Sequence, residues 1–384
     1  MALCFAVAAL EGYDIQAFGI GAPRFAPELH LNPGQVGWAG SAAMLGLMLG
    51  AFAGGGLADR IGRRPVLTVS VAAFGVFSVA TALAHGYETL TLARFLTGLG
   101  FGGAIPNLIA VASEISPPNR RAATTTTMFC GIPTGGSAVA LLAQVGGEAI
   151  DWRTLFLVGG VLPLLLAPLV AFVLPETRPQ HDPSADRRLL PALVGEGRAL
   201  ATGLVWLLVG LDLLVTYLMV NWLPTLTVAR GFSPAVGATA SLWFNGFSVV
   251  GALVLGRAAD RIGYGLPAVM TFAGLAVGLY GLANAQALPA LLGFAAVSGF
   301  FVVGGAYVIY ALAPLYYPPQ VRAIGAGAAI GVGRLGSIAG PAIAGQLRAA
   351  GQTPAQVLQA MIPVALLGAA TALILILTRK PRAD

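Results

Sequence analysis

The chain is 384 residues long, 57% hydrophobic and only 9% charged. A soluble domain carries roughly 25% charged residues, so this composition cannot cover a water-facing surface, and a soluble enzyme is excluded. The net charge of +6 does not signal nucleic acid, because the basic residues sit in short clusters between apolar runs, without a basic stripe or an aromatic platform.

A membrane span needs about 20 mainly apolar residues. Twelve such runs occur in order, at 2–22, 36–58, 65–84, 88–113, 122–146, 154–174, 200–223, 235–258, 266–284, 288–315, 323–347 and 355–378. They predict an all-α membrane protein with twelve transmembrane helices. Met1 opens directly into apolar Ala2–Leu10, with no positive lead of a signal peptide. The missing polar lead-in implies a truncated amino terminus or a misassigned start. A polar linker at 175–199, with Arg187 and Arg188, divides a first half, 1–174, from a second, 200–384.

Arg60, Arg63, Arg64, Arg120, Arg121, Arg257, Arg261, Arg322 and the tail residues Arg379, Lys380 and Arg382 fall on alternate loops. The opposite loops hold only Arg24, Arg153, Arg230 and Arg348. Positive residues stay inside, so both termini are expected in the cytoplasm of a bacterial cell, with the chain crossing its inner membrane an even number of times. Cys4 and Cys130 lie in apolar runs and suggest no disulfide. His30, His85 and His181 are scattered over loops. No metal or cofactor is expected.

An internal repeat organises the chain. A gapless shift of 201 positions aligns Asp59-Arg60-Ile61-Gly62 with Asp260-Arg261-Ile262-Gly263. It also pairs Gly50 with Gly251, Gly55 with Gly256, Gly98 with Gly299, Pro23 with Pro224 and Glu11 with Asp212. Pro117, Pro118, Arg121 and Ala122 fall on Pro318, Pro319, Arg322 and Ala323. Two six-helix halves in one orientation form the parallel-repeat plan of a secondary transporter, which places a substrate site near mid-membrane between the halves.

Charges inside apolar runs are costly and mark function. Glu11 and Asp14 lie three residues apart on one face of the first span. A carboxyl whose proton affinity changes with access is what proton coupling needs, and Asp212 has the equivalent depth in the seventh span. Asp14 either couples protons or pairs structurally with Arg94 or Arg334. Arg94, in the fourth span, either faces inward or snorkels to the outer interface. Arg334, flanked by Gly333 and Gly336 in the eleventh span, can offer its fork to a carboxylate. It either binds an anionic substrate or pairs with an acid of the other half. Tyr13, Trp222, Phe244 and Tyr310 are candidates for stacking on a substrate ring, with Asn221 and Asn245 for its hydroxyl.

The loop Gly55-Gly56-Leu57-Ala58-Asp59-Arg60-Ile61-Gly62-Arg63-Arg64 resembles the signature loop of the major facilitator superfamily. Arg94-Phe95-Leu96-Thr97-Gly98 resembles that superfamily's fourth-helix arginine motif. Gly55, Asp59, Arg60, Gly62, Arg63, Arg64, Asp260 and Arg261 are expected to form gates, with Asp59 pairing arginines across its half. Glu11-Gly12-Tyr13-Asp14, Ala104-Ile105-Pro106-Asn107, Asn221-Trp222-Leu223-Pro224, Tyr310-Ala311-Leu312-Ala313-Pro314 and Gly333-Arg334-Leu335-Gly336 resemble the aromatic acid:proton symporters, above all the 3-(3-hydroxyphenyl)propionate branch. Members typically start the first motif with Asp, where this chain has Glu11. The resemblance implies a proton-coupled importer of aromatic carboxylates; alternating access and a monomer are expected. Gly131-Ile132-Pro133-Thr134-Gly135-Gly136 partly resembles the glycine-proline motif of proton-drug antiporters and keeps an exporter as the alternative.

Overall fold

A computed structural model describes residues 1–114, 116, 124, 127–176, 193–195, 197–318 and 321–378. The repeat matches at Pro117, Pro118, Arg121, Ala122 and Pro319 lie outside the described residues. So do Arg120, His181, Arg187, Arg188, the rest of 177–192, and the tail Arg379, Lys380 and Arg382. Ala323 is described in its backbone alone.

The described elements are helical. They run α1 (Ala2–Glu28), α2 (Pro33–Ile61), α3 (Arg63–Ala82), α4 (Tyr87–Glu114), α5 (Gly131–Gly146), α6 (Trp152–Val173), α7 (Ala199–Val228), α8 (Pro234–Ile262), α9 (Gly265–Asn284), α10 (Leu288–Leu312), α11 (Arg322–Ala349) and α12 (Pro354–Thr378). A break at Met361 divides α12 into Pro354–Ala360 and Ile362–Thr378. Among the described residues twelve helices are long and apolar enough to cross a membrane, as the twelve apolar runs predict. Starts are written locally. Asn32 caps α2 by accepting from the Gln35 amide at 2.9 Å, and Gln35 returns the bond to the Asn32 amide, with Pro33 at the first position. Thr353, Pro354 and Gln356 repeat this device at α12. Each box satisfies donors that a helix start leaves open. Prolines inside α1, α4, α6, α7 and α11 are tolerated because neighbouring helices accommodate the lost hydrogen bond.

The chain forms two compact units, Met1–His181 with Val220–Leu242 and Pro341–Ala350, and Asp182–Met219 with Trp243–Gly340 and Gly351–Asp384. In the first, α1 packs on α5 and α6, α2 on α4, and α3 on α4 and α6. Its far ends of α7, α8 and α11 pack against α1 and α2. The Gln16 amide donates to the Val220 carbonyl at 3.1 Å and to Ser241 Oγ at 3.3 Å. Trp222 Nε1 donates to the Pro341 carbonyl at 3.1 Å. A Cβ on Gly37 would stand 2.6 Å from that same carbonyl oxygen.

The 201-residue repeat is visible as packing inside each unit. A Cβ on Gly98 would strike the Ala43 carbonyl, and one on Gly299 would strike the Phe244 carbonyl. Gly50 lies on the Leu99 carbonyl, and Gly251 on the Phe300 carbonyl. Gly135 lies on the α1 backbone at Ala9 and Tyr13, while Gly336 lies on the α7 backbone at Gly210 and Leu214. Every one of these pairs is offset by 201. Helices in lipid gain association through such van der Waals contact, and only small residues permit it. The glycine-proline stretch of α5 is therefore part of a helix crossing, with Gly131 and Gly135 both seated on α1.

Candidate functional site

Two charge centres stand on this scaffold, one in each unit. In the first unit the crossings of α1 with α3, α4 and α6 bring Asp14, Ser78, Arg94 and Phe156 together. Arg94 Nη1 donates to Asp14 Oδ2 at 2.6 Å, and Ser78 Oγ donates to Asp14 Oδ1. Both charges are out of reach of solvent, Asp14 at 0% and Arg94 at 1% exposure. The guanidinium carbon lies 5.5 Å from the Phe18 ring centroid and 5.6 Å from that of Phe156, so two aromatic faces receive charge that water cannot. Of the two positions open to Arg94, the inward one is observed; it does not snorkel. Of the partners open to Asp14, the observed one is Arg94. Glu11 is buried one turn away on α1. The Tyr13 ring packs against Gly159 of α6, and its hydroxyl is buried without a hydrogen-bond partner.

The second centre is built from α7, α10 and α11. Gly333 and Gly336 let α11 settle on Val209, Gly210 and Leu214 of α7, which puts Arg334 and Asp212 on facing turns. Arg334 Nη1 donates to the Tyr217 hydroxyl at 3.1 Å. The charges of Asp212 and Arg334 both act on the Tyr310 hydroxyl, with Tyr217 and Tyr307 also in range. Arg334, Tyr217, Tyr307 and Tyr310 are all partly exposed. Asp212 is 0% exposed, and among the described residues neither of its carboxyl oxygens has a hydrogen-bond partner. A guanidinium fork can take a carboxylate, and phenols can offer ring faces and hydroxyls.

The remaining expected positions are placed as follows. Trp222 is 2% exposed and spends its indole N–H on Pro341; Asn221 is buried beside Gly40. Both thus stand at the Asn32 end of α2, in the first unit. Phe244 is buried against Gly299. Asn245 is buried on α8 of the second unit, where its carbonyl accepts from Ser248. In the loop after α2, Gly62 has φ +98° and its counterpart Gly263 has φ +83°, conformations that a side chain resists. The Glu176 carboxylate fills the space over Gly62 and accepts from the Arg63 amide at 2.9 Å. Arg63 forms an ion pair with Glu114. Gly55 faces open space, and Arg60 and Arg261 are exposed. Arg64 is half-buried, its carbonyl accepting from the Thr68 hydroxyl at 2.8 Å. Asp59 is exposed and makes no ion pair among the described residues, while Asp260 lies 3.5 Å from the Tyr264 hydroxyl. Among the described residues no cluster of three metal-ligating side chains occurs.

Sequence reasoning missed Ser78, Phe18, Phe156, Tyr217 and Tyr307. Tyr307 and Tyr310 share a helical face three residues apart, which was a usable signal. The others are ordinary residues of apolar spans until the helices cross.

A sequence profile of the Major Facilitator Superfamily matches residues 4–248. The chain is 41% identical over 380 residues to the 3-(3-hydroxy-phenyl)propionate transporter of Escherichia coli (strain K12), covering 99% of this chain and 94% of that one. It is 32% identical to the 4-hydroxybenzoate transporter PcaK of Pseudomonas putida, covering 95% and 89%. Among solved structures, a bacterial homolog of the human lysosomal transporter Spinster, inward-facing and occupied, superposes with TM-score 0.82 at 15% identity, covering 100% and 97%. The D-xylose-proton symporter gives TM-score 0.78 at 16% identity, covering 97% and 96%. At those identities the likeness establishes the fold.

Proposed function

From the premise that this chain is a multi-pass membrane transporter of the Major Facilitator Superfamily, we propose that it imports aromatic carboxylates together with protons. The observation that carries this reading is Arg334, half-exposed among Tyr217, Tyr307 and Tyr310, in a chain whose relatives carry hydroxylated aromatic acids. The fork of Arg334 receives the substrate carboxylate and the phenols hold the ring.

Asp14 supplies a proton switch. As a carboxylate it binds Arg94 and Ser78. Once protonated it releases Arg94, because the neutral acid no longer balances the buried cation. A change in which helix holds the Arg94 charge is a two-state element of the kind that alternating access requires. The halves 1–174 and 200–384 move about the linker at 175–199, and the loop of Asp59, Arg60, Gly62, Arg63 and Arg64 exchanges partners as they do. Both termini face the cytoplasm of a bacterial cell, the protein works as a monomer, and no cofactor takes part. Substrate and proton are its ligands, and the proton gradient supplies the drive.

The test is uptake of labelled 3-(3-hydroxyphenyl)propionate and 4-hydroxybenzoate by cells with the chain confirmed in the membrane, with and without a protonophore. Accumulation that collapses with the protonophore supports the proposal. Accumulation that survives it removes proton coupling, and energy-dependent efflux of hydrophobic compounds in its place would make the chain an exporter.

A further inference from the structure

Asp212 belongs to the second centre, yet among the described residues no hydrogen bond ties it to Arg334 or to the phenols. It is 0% exposed, and both carboxyl oxygens lack a hydrogen-bond partner. An ionised carboxylate at that depth would be neither solvated nor paired, so the geometry accommodates the neutral acid. The Tyr310 hydroxyl on α10 lies in the field of both Asp212 and Arg334, with Tyr217 and Tyr307 also in range, and Arg334 itself bonds Tyr217. Arg334 is the cation among them. The contacts of Gly333 and Gly336 on α7 at 209–214 bring Arg334 to the turn facing Asp212, while the arginine's Nη1 is turned to Tyr217.

We propose that Asp212 is a second proton-carrying residue, independent of Asp14, and that its carboxylate and the substrate carboxylate take turns on Arg334. This rests on the reading of the chain as a proton-coupled carboxylate importer. With Asp212 protonated, Arg334 is available to the incoming acid. When the substrate leaves, Arg334 swings to Asp212, the carboxyl proton departs to water, and the ion pair forms in its place. Each turnover then moves one substrate anion and, at this residue, one proton in the same direction. The repeat places Glu11 at the matching position of α1, where Ala9 and Tyr13 lie under Gly135 as Gly210 and Leu214 lie under Gly336. The second half therefore keeps an acid at this crossing and adds an arginine across from it.

Two measurements test this. The first needs no substrate. Purified protein is treated with dicyclohexylcarbodiimide, which adds a protonated carboxyl across its C=N bond to give an O-acylisourea that rearranges by an O-to-N acyl shift to a stable N-acylurea, read by peptide mass. Labelling of Asp212 and not of Asp14, which Arg94 holds as a carboxylate, is expected; an unlabelled Asp212 beside a labelled Asp14 overturns the assignment. The second compares Asp212→Asn and Asp212→Glu in membrane vesicles. Asp212→Asn should equilibrate substrate without accumulating it, with substrate exchange kept within about fivefold of the parent, and Asp212→Glu should recover part of the accumulation. Full accumulation by Asp212→Asn overturns the proposal, and so does equal loss of exchange and accumulation in both variants, which marks a packing role. Failure of the importer reading itself shows differently, as absence of aromatic-acid uptake by the parent chain while the labelling result still stands.

Discussion

Asp14 and Asp212 are both fully buried acids near the middle of a span, and their surroundings are opposite. Asp14 has an arginine, a serine hydroxyl and, around that arginine, two aromatic rings. Asp212 has no hydrogen-bond partner, and the arginine facing its turn bonds a tyrosine. Their helices share a crossing used twice, α1 on α5 and α7 on α11, offset by 201 residues. The charges are not copies: the repeat partner of Asp14 is Val215, that of Arg94 is Ala295, and that of Arg334 is Pro133. The two helix crossings are equivalent, and the charges placed near them differ. In one centre the arginine is buried on its acid; in the other the arginine is partly exposed and bonds a tyrosine.

The largest effect should come from breaking the closed centre. Asp14→Ala leaves the Arg94 cation buried without its counter-charge, at a cost of about 3–5 kcal/mol. Thermal unfolding in detergent should show it, and adding Arg94→Ala should restore part of the loss. Asp212→Ala should cost far less in the same assay; equal losses would erase the distinction between the centres. Next comes the open centre. Arg334→Ala should weaken binding of an aromatic carboxylate by about 2–3 kcal/mol, or roughly 30–150-fold, and hardly change binding of the matching amide. Parallel loss of both ligands would make Arg334 a packing residue. The smallest expected change is Tyr217→Phe, which removes one bond to Arg334 and should raise the KM for uptake about fivefold, equivalent to about 1 kcal/mol.

The fold was legible because lipid leaves a loud trace. Twenty-residue apolar runs, a glycine-and-arginine loop and a 201-residue offset survive in the sequence without any tertiary information. The five charged members of the two centres were legible for the same reason: Glu11, Asp14, Arg94, Asp212 and Arg334 each interrupt an apolar run. Their partners were not. Ser78 is one of many hydroxyls that can bond within its own helix, and only the approach of α3 to α1 turns it onto Asp14. Phe18 and Phe156 are ordinary lipid-compatible rings until Arg94 lies between them. Trp222 was read as a ring for substrate to stack on, yet its N–H is held by Pro341, a pairing across 119 positions that no local pattern announces. Asp59 is expected to pair arginines within its half; among the described residues the ion pair seen at this loop is that of Arg63 with Glu114.

That indole bond has a practical consequence. Trp222 is buried and hydrogen-bonded, whereas Trp38 and Trp243 are 50% and 40% exposed on the apolar surface. In a chain whose other tryptophans are replaced by phenylalanine, Trp222 becomes a native fluorophore seated where α11 meets α2. Its emission reads whether the Pro341 carbonyl is in place, shifting to longer wavelength when water reaches the ring, so the conformational cycle carries its own optical signal without an added dye.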